Sequence, residues 1–250
     1  MKDFVIYLQP KPPTTPPKEK YSVEELKSLP SSSTLTELGL VKGGELSFVR
    51  QTEFLNVFSY SGDFQLPRPQ AAGGVAHVPM NFNVWQQRGG HFVASFMAPK
   101  KLSKIAIALL SYATHRDPFL IKPVQLTKSD FISLKDYILK RGGDLKQLIF
   151  WNIRGSSIGG AKVTQWRLSG SALEKFPDFD EYLKHFPRIR LLGFSFKPTA
   201  ECRDIRFRII DWGGGQFYSP ADPVAHEILQ FLDLFDNTLI PGKSSSFKGL

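Results

Sequence analysis

The chain has 250 residues, 42% of them hydrophobic and 13% aromatic, which is typical of folded globular proteins and excludes a disordered chain. No apolar run reaches the roughly 18 residues that a membrane-spanning helix needs, and the N-terminal stretch has too short an apolar core for a secretory signal. Because Cys202 is the only cysteine, an internal disulfide is excluded. The sequence therefore predicts a cytoplasmic protein (nuclear in a eukaryote) with no membrane partner.

The net charge of +9 is unevenly distributed along the chain. Residues 1–63 hold seven Lys and Arg against eight Asp and Glu, so the whole excess of cations lies beyond them. Residues 100–116 contain four cations and no acid, and residues 188–208 contain six cations against two acids. This pattern favours an anionic partner such as nucleic acid or a phosphate ligand, with an ordinary basic surface as the alternative.

Residues 1–60 predict a β-rich N-terminal segment. Residues 3–8 form a short apolar strand, and the proline-rich stretch 10–20 is extended. Ser22 with Glu25 three residues later is the pattern of a capping box, which predicts a short helix directly after Ser22. Residues 45–60 are rich in β-forming residues and predict one long β segment, with a bulge or a break expected at Asn56.

A loop or linker is predicted for residues 61–90, which are rich in Gly, Pro, Gln and Asn. It would separate the N-terminal segment from a main α+β domain at 91–240, which is followed by a flexible basic tail at 241–250. The main domain begins with a strand over 91–97, and Pro99 then starts an amphipathic helix. A further strand is predicted for residues 119–126.

The second half of the chain suggests a duplicated α-β-β unit. Two similar helical motifs, DFISLKDYILK and DFDEYLKHF, each precede two predicted strands. The first strand pair is joined by GSSIGG, for which a hairpin loop and an anion-binding nest are both open. The second pair continues through Gly213–Gly215 into a third strand, and a last helix follows. The predicted fold is α+β, with a mainly antiparallel sheet and helices packed on one face.

Two groups of cations are the candidate binding residues. Residues 204–209 alternate charged and apolar side chains, so Arg206 and Arg208 are expected to face away from the core. Three lysines lie at the predicted helix N-terminus after Pro99, a natural position for phosphate. The candidate nucleic-acid-binding residues are Arg154, Arg167, Arg190, Arg206, Arg208, Lys100, Lys101 and Lys104.

Aromatic residues accompany these arginines, and arginine beside exposed aromatic rings is a common way to hold single-stranded nucleic acid. Packing in the core is the alternative role for these rings. Those on or near the same predicted strands are Trp151, Trp166, Trp212, Phe194 and Tyr218.

No catalytic, metal or cofactor motif is present. The sequence lacks HExxH, paired CxxC, Walker A and GxGxxG patterns, and no nucleophile elbow of the GxSxG type is predicted. Only His226–Glu227 resembles an acid/base pair. No cofactor is predicted. The sequence favours a non-enzymatic nucleic-acid-binding protein that acts mainly through phosphate contacts. The alternatives are a protein-interaction or scaffold subunit of a larger complex and, more distantly, an enzyme acting on a phosphorylated ligand.

Overall fold

The computed structural model describes residues 2–9, 20–30, 35–67, 75–158, 161–177, 179–197, 204–218 and 224–240. These residues contain five α-helices and twelve β-strands, and the strand pairs within each unit are antiparallel. The predicted α+β class is therefore confirmed. No helix within the described ranges is long and apolar enough to cross a membrane.

The chain divides into two compact units, here called the N-terminal unit (residues 3–123) and the C-terminal unit (the described residues of 124–250). The boundary lies between Pro123 and Val124 and not within residues 61–90, where the linker was predicted.

An antiparallel sheet forms the N-terminal unit together with two α-helices and a 3₁₀-helix. The strand order is β2-β3-β4-β5-β6-β1, and β7 pairs with β1. The elements are β1 (Lys2–Leu8), β2 (Lys20–Ser22), α1 (Val23–Lys27), the 3₁₀-helix (Thr36–Leu40), β3 (Val41–Gln51), β4 (Leu55–Pro67), β5 (Val75–Gln87), β6 (Phe92–Phe96), α2 (Lys100–His115) and β7 (Lys122–Pro123).

Both α-helices of the N-terminal unit begin where the sequence predicted. The Ser22–Glu25 capping box is formed at the start of α1. Helix α2 follows Pro99, but ten of its sixteen residues are buried, so it is enclosed on more than its predicted apolar face. The buried Ser103 forms a hydrogen bond with the Tyr7 hydroxyl at 2.6 Å and also with Ser95.

Three predictions in the N-terminal unit are wrong. Residues 45–60 are not one β segment: β3 and β4 form a hairpin, and Thr52 closes its turn by accepting a hydrogen bond from the Leu55 N–H. Residues 61–90 are not a linker, because 61–67 of β4 pair with 75–81 of β5. The strand predicted for 119–126 shrinks to the two residues of β7, where Pro123 has no N–H to continue a ladder.

A chain of buried amide side chains connects Gln9, which follows β1, with Gln86 of β5 and Asn56 of β4. Gln9 Nε2 donates to the backbone carbonyls of Gln87 and Gly90. Gln86 Nε2 donates to Gln9 Oε1 at 2.9 Å, and Asn56 Nδ2 donates to Gln86 Oε1 at 3.2 Å. Asn56 Oδ1 has no hydrogen-bond partner among the described residues. Because isolated buried amides are costly, burial of Gln86 in β5 depends on this mutual pairing. Other polar residues of β5 are exposed and face no such cost, namely His77, Asn81 and Asn83.

The C-terminal unit has a five-stranded sheet in the order β12-β11-β10-β8-β9. Helix α3 packs against α5, β8 and β10. The elements are α3 (Lys128–Lys140), β8 (Asp144–Ile158), β9 (Ala161–Ser169), a 3₁₀-helix (Leu173–Lys175), α4 (Phe179–His185), β10 (Arg188–Phe196), β11 (Ile205–Ile210), β12 (Gly214–Phe217) and α5 (Ala225–Leu239).

The α-β-β order occurs twice in this unit, as α3-β8-β9 and α4-β10-β11, and the pairing of β8 with β10 sets the two hairpins side by side. The predicted GSSIGG loop is shorter than expected, because Ser156 to Ile158 continue β8 and pair with β9. Residues 159–160 of that loop, the proline-rich stretch 10–19 and the tail 241–250 lie outside the described residues.

Candidate nucleic-acid interface

Strand β11 has one apolar and one basic face, as its alternation predicts. Ile205, Phe207 and Ile209 are buried, whereas Arg206 is exposed and Arg208 is half-buried. The buried apolar side chains of β11 face the helix-covered side of the sheet, since the Phe207 ring lies 5.0 Å from that of Phe231 in α5. The arginines therefore lie on the opposite, open face of the C-terminal sheet.

Four cations surround one depression on this open face, which we call the basic depression. It has a volume of about 350 Å3 and receives Lys146 from β8, Arg167 from β9, and both Arg206 and Arg208 from β11. Its remaining lining residues are Gln147, Ser169, Gly193, Phe194, Phe207 and Tyr218.

The strand register explains why these residues meet. Gly193 of β10 pairs with Arg208 on one side and with Gln147 on the other, and Gln147 pairs in turn with Ser169. A bulge next to Gly193 inserts Lys146 as an extra residue of β8. A Cβ atom at position 193 would lie 2.9 Å from Gln147 Cβ, so glycine is required where the neighbouring strand approaches this closely.

Carboxylates hold Lys146 and Arg206 of the basic depression. Lys146 Nζ donates to Asp144, whose other oxygen accepts the Ala172 N–H at 2.6 Å. Burial opposes ionisation of Asp144, but the hydrogen bond and charge of Lys146 outweigh it and hold the pKa of Asp144 below its ordinary value. Arg206 Nε donates to Asp204 at 3.1 Å. These contacts hold the long basic side chains in defined positions.

Arg208 differs from its neighbours in having a buried donor without an acceptor. Its Nε atom has no hydrogen-bond partner among the described residues, and its guanidinium carbon lies 5.8 Å from the centre of the Tyr218 ring. Arg167 Nε donates to Ser169 at 3.2 Å. With four cations against Asp144 and Asp204, the depression presents net positive charge and a donor that an anion would satisfy.

The structure brings only part of the predicted set together. The basic depression is lined by Arg167, Arg206 and Arg208. Arg190 does not line it: it is half-buried at a second bulge, where it is the extra residue of β10. Arg154 belongs to β8, but its side chain lies outside the described part of the structure.

The three lysines belong to the other unit. Lys100 and Lys101 are exposed in the first turn of α2, and Lys104 forms an ion pair with Glu37 of the 3₁₀-helix. Lys104 thus has a structural partner within its own unit.

Among the predicted aromatic residues whose side chains the structure describes, Tyr218 has the exposed position beside an arginine that was expected. Its side chain is 39% exposed and lines the depression. Phe194 is buried in the core, and the Trp166 ring packs 4.1 Å from that of Tyr182. The Trp151 side chain lies outside what the structure describes.

Sequence reasoning missed Lys146, Gln147, Ser169 and Gly193 as site residues. Their membership depends on the bulge beside Gly193 and on pairing between β8 and β10, which are separated along the chain by β9 and α4. No local pattern encodes that register, so no signal in the sequence identified them.

The described residues contain no group of three or more His, Cys, Asp or Glu side chains placed to hold a metal. The acid/base pair considered at His226–Glu227 is not formed in the way the sequence suggested. Glu227 is buried and accepts the Val224 N–H at the start of α5, while His226 is exposed.

The Lys104–Glu37 ion pair predicts a pH dependence of stability. Burial alone would raise the pKa of Glu37, but it is outweighed by the hydrogen bond and charge of Lys104 together with hydrogen bonds from the Glu37 backbone N–H and Thr36, which leaves the pKa below its ordinary value. A lowered carboxyl pKa stabilises the folded state above the unfolded pKa, and this contribution is lost as the pH falls through the folded pKa. We expect Lys104→Gln to lower the free energy of unfolding at pH 7 by about 0.5 to 1 kcal/mol and to flatten its decline at acid pH.

Urea unfolding of the wild type and Lys104→Gln between neutral and acid pH checks this expectation. Lys122→Gln, at an exposed lysine of the same unit, is the control for loss of one positive charge. Parallel pH profiles for the wild type and Lys104→Gln would show that the ion pair contributes nothing to stability.

Comparison of the sequence with protein-family models and with curated proteins gives no match to either.

Proposed function

We propose that the protein binds nucleic acid mainly through phosphate contacts in the basic depression. The proposal is carried by one observation: four cations on three strands converge on one concave surface, and two of them, Lys146 and Arg206, are held by carboxylates beside it. Guanidinium and ammonium groups are well suited to phosphate, and the contacts of Lys146 with Asp144 and of Arg206 with Asp204 hold two of them in defined positions. Arg208 further supports phosphate binding, because its buried Nε donor has no acceptor among the described residues.

The distribution of exposed apolar side chains favours this proposal over the scaffold alternative. A protein-interaction surface needs an apolar patch of several hundred Å2. The described residues expose only six large hydrophobic side chains, none adjacent to another in the sequence: Leu8, Val49, Met97, Phe176, Tyr218 and Val224.

The third alternative, a phosphorylated small ligand, would use the same depression, whose volume of about 350 Å3 lies within the range of small-molecule sites. A competition experiment distinguishes a small phosphorylated ligand from nucleic acid. A nucleoside monophosphate that displaces an oligonucleotide at similar concentration would favour the small ligand, because a polymer bound through several phosphates is expected to bind far more tightly.

Salt dependence is the direct test of phosphate binding. In anisotropy titrations with single-stranded and double-stranded oligonucleotides, log K should fall linearly with log[salt]. The double substitution Arg206→Ala with Arg208→Ala should flatten that slope by about one to two units, because each lost phosphate contact removes about one unit.

The matched control is Lys100→Ala with Lys101→Ala, which removes the same number of charges from the N-terminal unit. It should change the slope by less than about half a unit. Absence of binding at low salt for every probe would end the proposal. Equal flattening by the lysine pair would show that binding is not centred on the basic depression.

A further inference from the structure

We infer that the basic depression accepts a single strand of nucleic acid in preference to a duplex and seats one base against Tyr218. This inference rests on the proposed function and adds the form of nucleic acid that the site takes. It follows from the position of the Tyr218 ring, the size of the depression and the spacing of its cations.

Tyr218 presents an aromatic ring from a fixed backbone. Its N–H donates to the Arg206 carbonyl at 2.8 Å, which ties it to β11 directly after β12 ends. The ring is 39% exposed and lies beside the Arg208 guanidinium. A ring held next to a cation at the edge of a basic surface matches the arrangement that stacks a base while the cation meets its phosphate.

The dimensions of the depression fit one nucleotide and not a duplex. Its volume of about 350 Å3 is at the lower end of small-ligand sites, whereas the bases of a duplex are stacked inside the helix and cannot enter a pocket unless they are extruded from it. Gly193 keeps this space open at its floor, since a side chain there would meet Gln147.

The cations are spread across the sheet and not along one strand. Arg167 on β9 and Arg208 on β11 are separated by β8 and β10, which is three strand spacings or about 14 Å. A single strand that crosses the sheet can place successive phosphates at these cations and turn one unstacked base toward Tyr218. In a duplex the bases stay stacked inside the helix, so the ring gains no partner and only phosphate contacts remain.

The test compares a labelled oligo-dT strand of about 12 nucleotides, within the site sizes of such grooves, with a duplex of equal length by anisotropy. Wild-type affinity for the single strand should exceed that for the duplex by about tenfold or more. Tyr218→Leu should weaken single-strand binding by about 5- to 100-fold, the range expected for one stacked base. Tyr218→Phe keeps the ring and should remain within about twofold of the wild type.

Phe176→Leu is the control, because Phe176 is an aromatic residue of the same unit with similar exposure, 43%, that does not line the depression. It should leave both affinities unchanged. Thermal unfolding of each variant confirms that the fold is retained.

Specific results would overturn the inference. Equal wild-type affinity for both probes would do so while leaving the proposed function standing. Equal losses for both probes in Tyr218→Leu, or no loss for the single strand, would show that the ring does not stack a base. Absence of binding to either probe would instead remove the proposed function and this inference with it.

Discussion

Replacement of Phe207 by alanine should lower the free energy of unfolding of the C-terminal unit by about 3 to 5 kcal/mol, the range for loss of a fully buried aromatic ring. Phe207 is 1% exposed. It is the centre of an aromatic cluster in which the rings of Phe194, Phe217 and Phe231 lie 5.0 to 6.0 Å from its own. Its removal leaves a cavity between β10, β12 and α5 that these large rings cannot easily fill.

Urea unfolding monitored by tryptophan fluorescence measures this loss, because three of the four tryptophans belong to residues 124–250. Arg206→Ala is the neighbouring control. Its side chain is 64% exposed, so it should cost less than about 0.5 kcal/mol. If Arg206→Ala unfolds the unit and Phe207→Ala does not, β11 faces the other way, and the argument for a basic open face is lost.

The second large effect is expected at the buried amide chain of the N-terminal unit. Gln86→Leu leaves Gln9 Oε1 and Asn56 Nδ2 without their partner. Each buried polar group that loses its hydrogen bond costs about 1 to 3 kcal/mol, so we expect a loss of roughly 2 to 5 kcal/mol in the free energy of unfolding. Hydrogen exchange of β4 and β5 amides, resolved by mass spectrometry, reports on this unit separately.

Asn56→Leu is the informative control. It leaves only Gln86 Oε1 without a donor, and it also removes Asn56 Oδ1, which already lacks a partner among the described residues. We therefore expect a loss below about 1 kcal/mol. A larger loss for Asn56→Leu than for Gln86→Leu would mean that the amide chain is not organised around Gln86.

Local signals predicted the elements that depend on neighbouring residues. The alternation over 204–209 correctly predicted which side chains of β11 are buried, and the Ser22–Glu25 box correctly predicted the start of α1. These features require only residues within one turn or one strand, so a single sequence is sufficient to predict them.

Features that depend on distant partners could not be predicted. The turn at Thr52 has no Gly, Pro or Asn, since a threonine side chain closes it. The polar residues of β5 led to the prediction of a loop. Burial of Gln86 in a strand is possible only with its partner Gln9, which is 77 positions away. The basic depression likewise required the register beside Gly193, which no pattern within β10 specifies.

Strand β1 has a consequence for the order of events during synthesis. Its residues Phe4 to Tyr7 are almost fully buried in the folded unit, and their partners in β6 lie 86 to 92 positions later in the chain. At about 5 to 20 residues per second, β6 is made on the order of 5 to 20 seconds after β1. For that interval the nascent chain carries an apolar strand without its partner, and such segments are recognised by chaperones or associate with one another. Growth of the polypeptide from the ribosome therefore delays completion of this sheet, since β1 cannot pair with β6 until β6 has been synthesised.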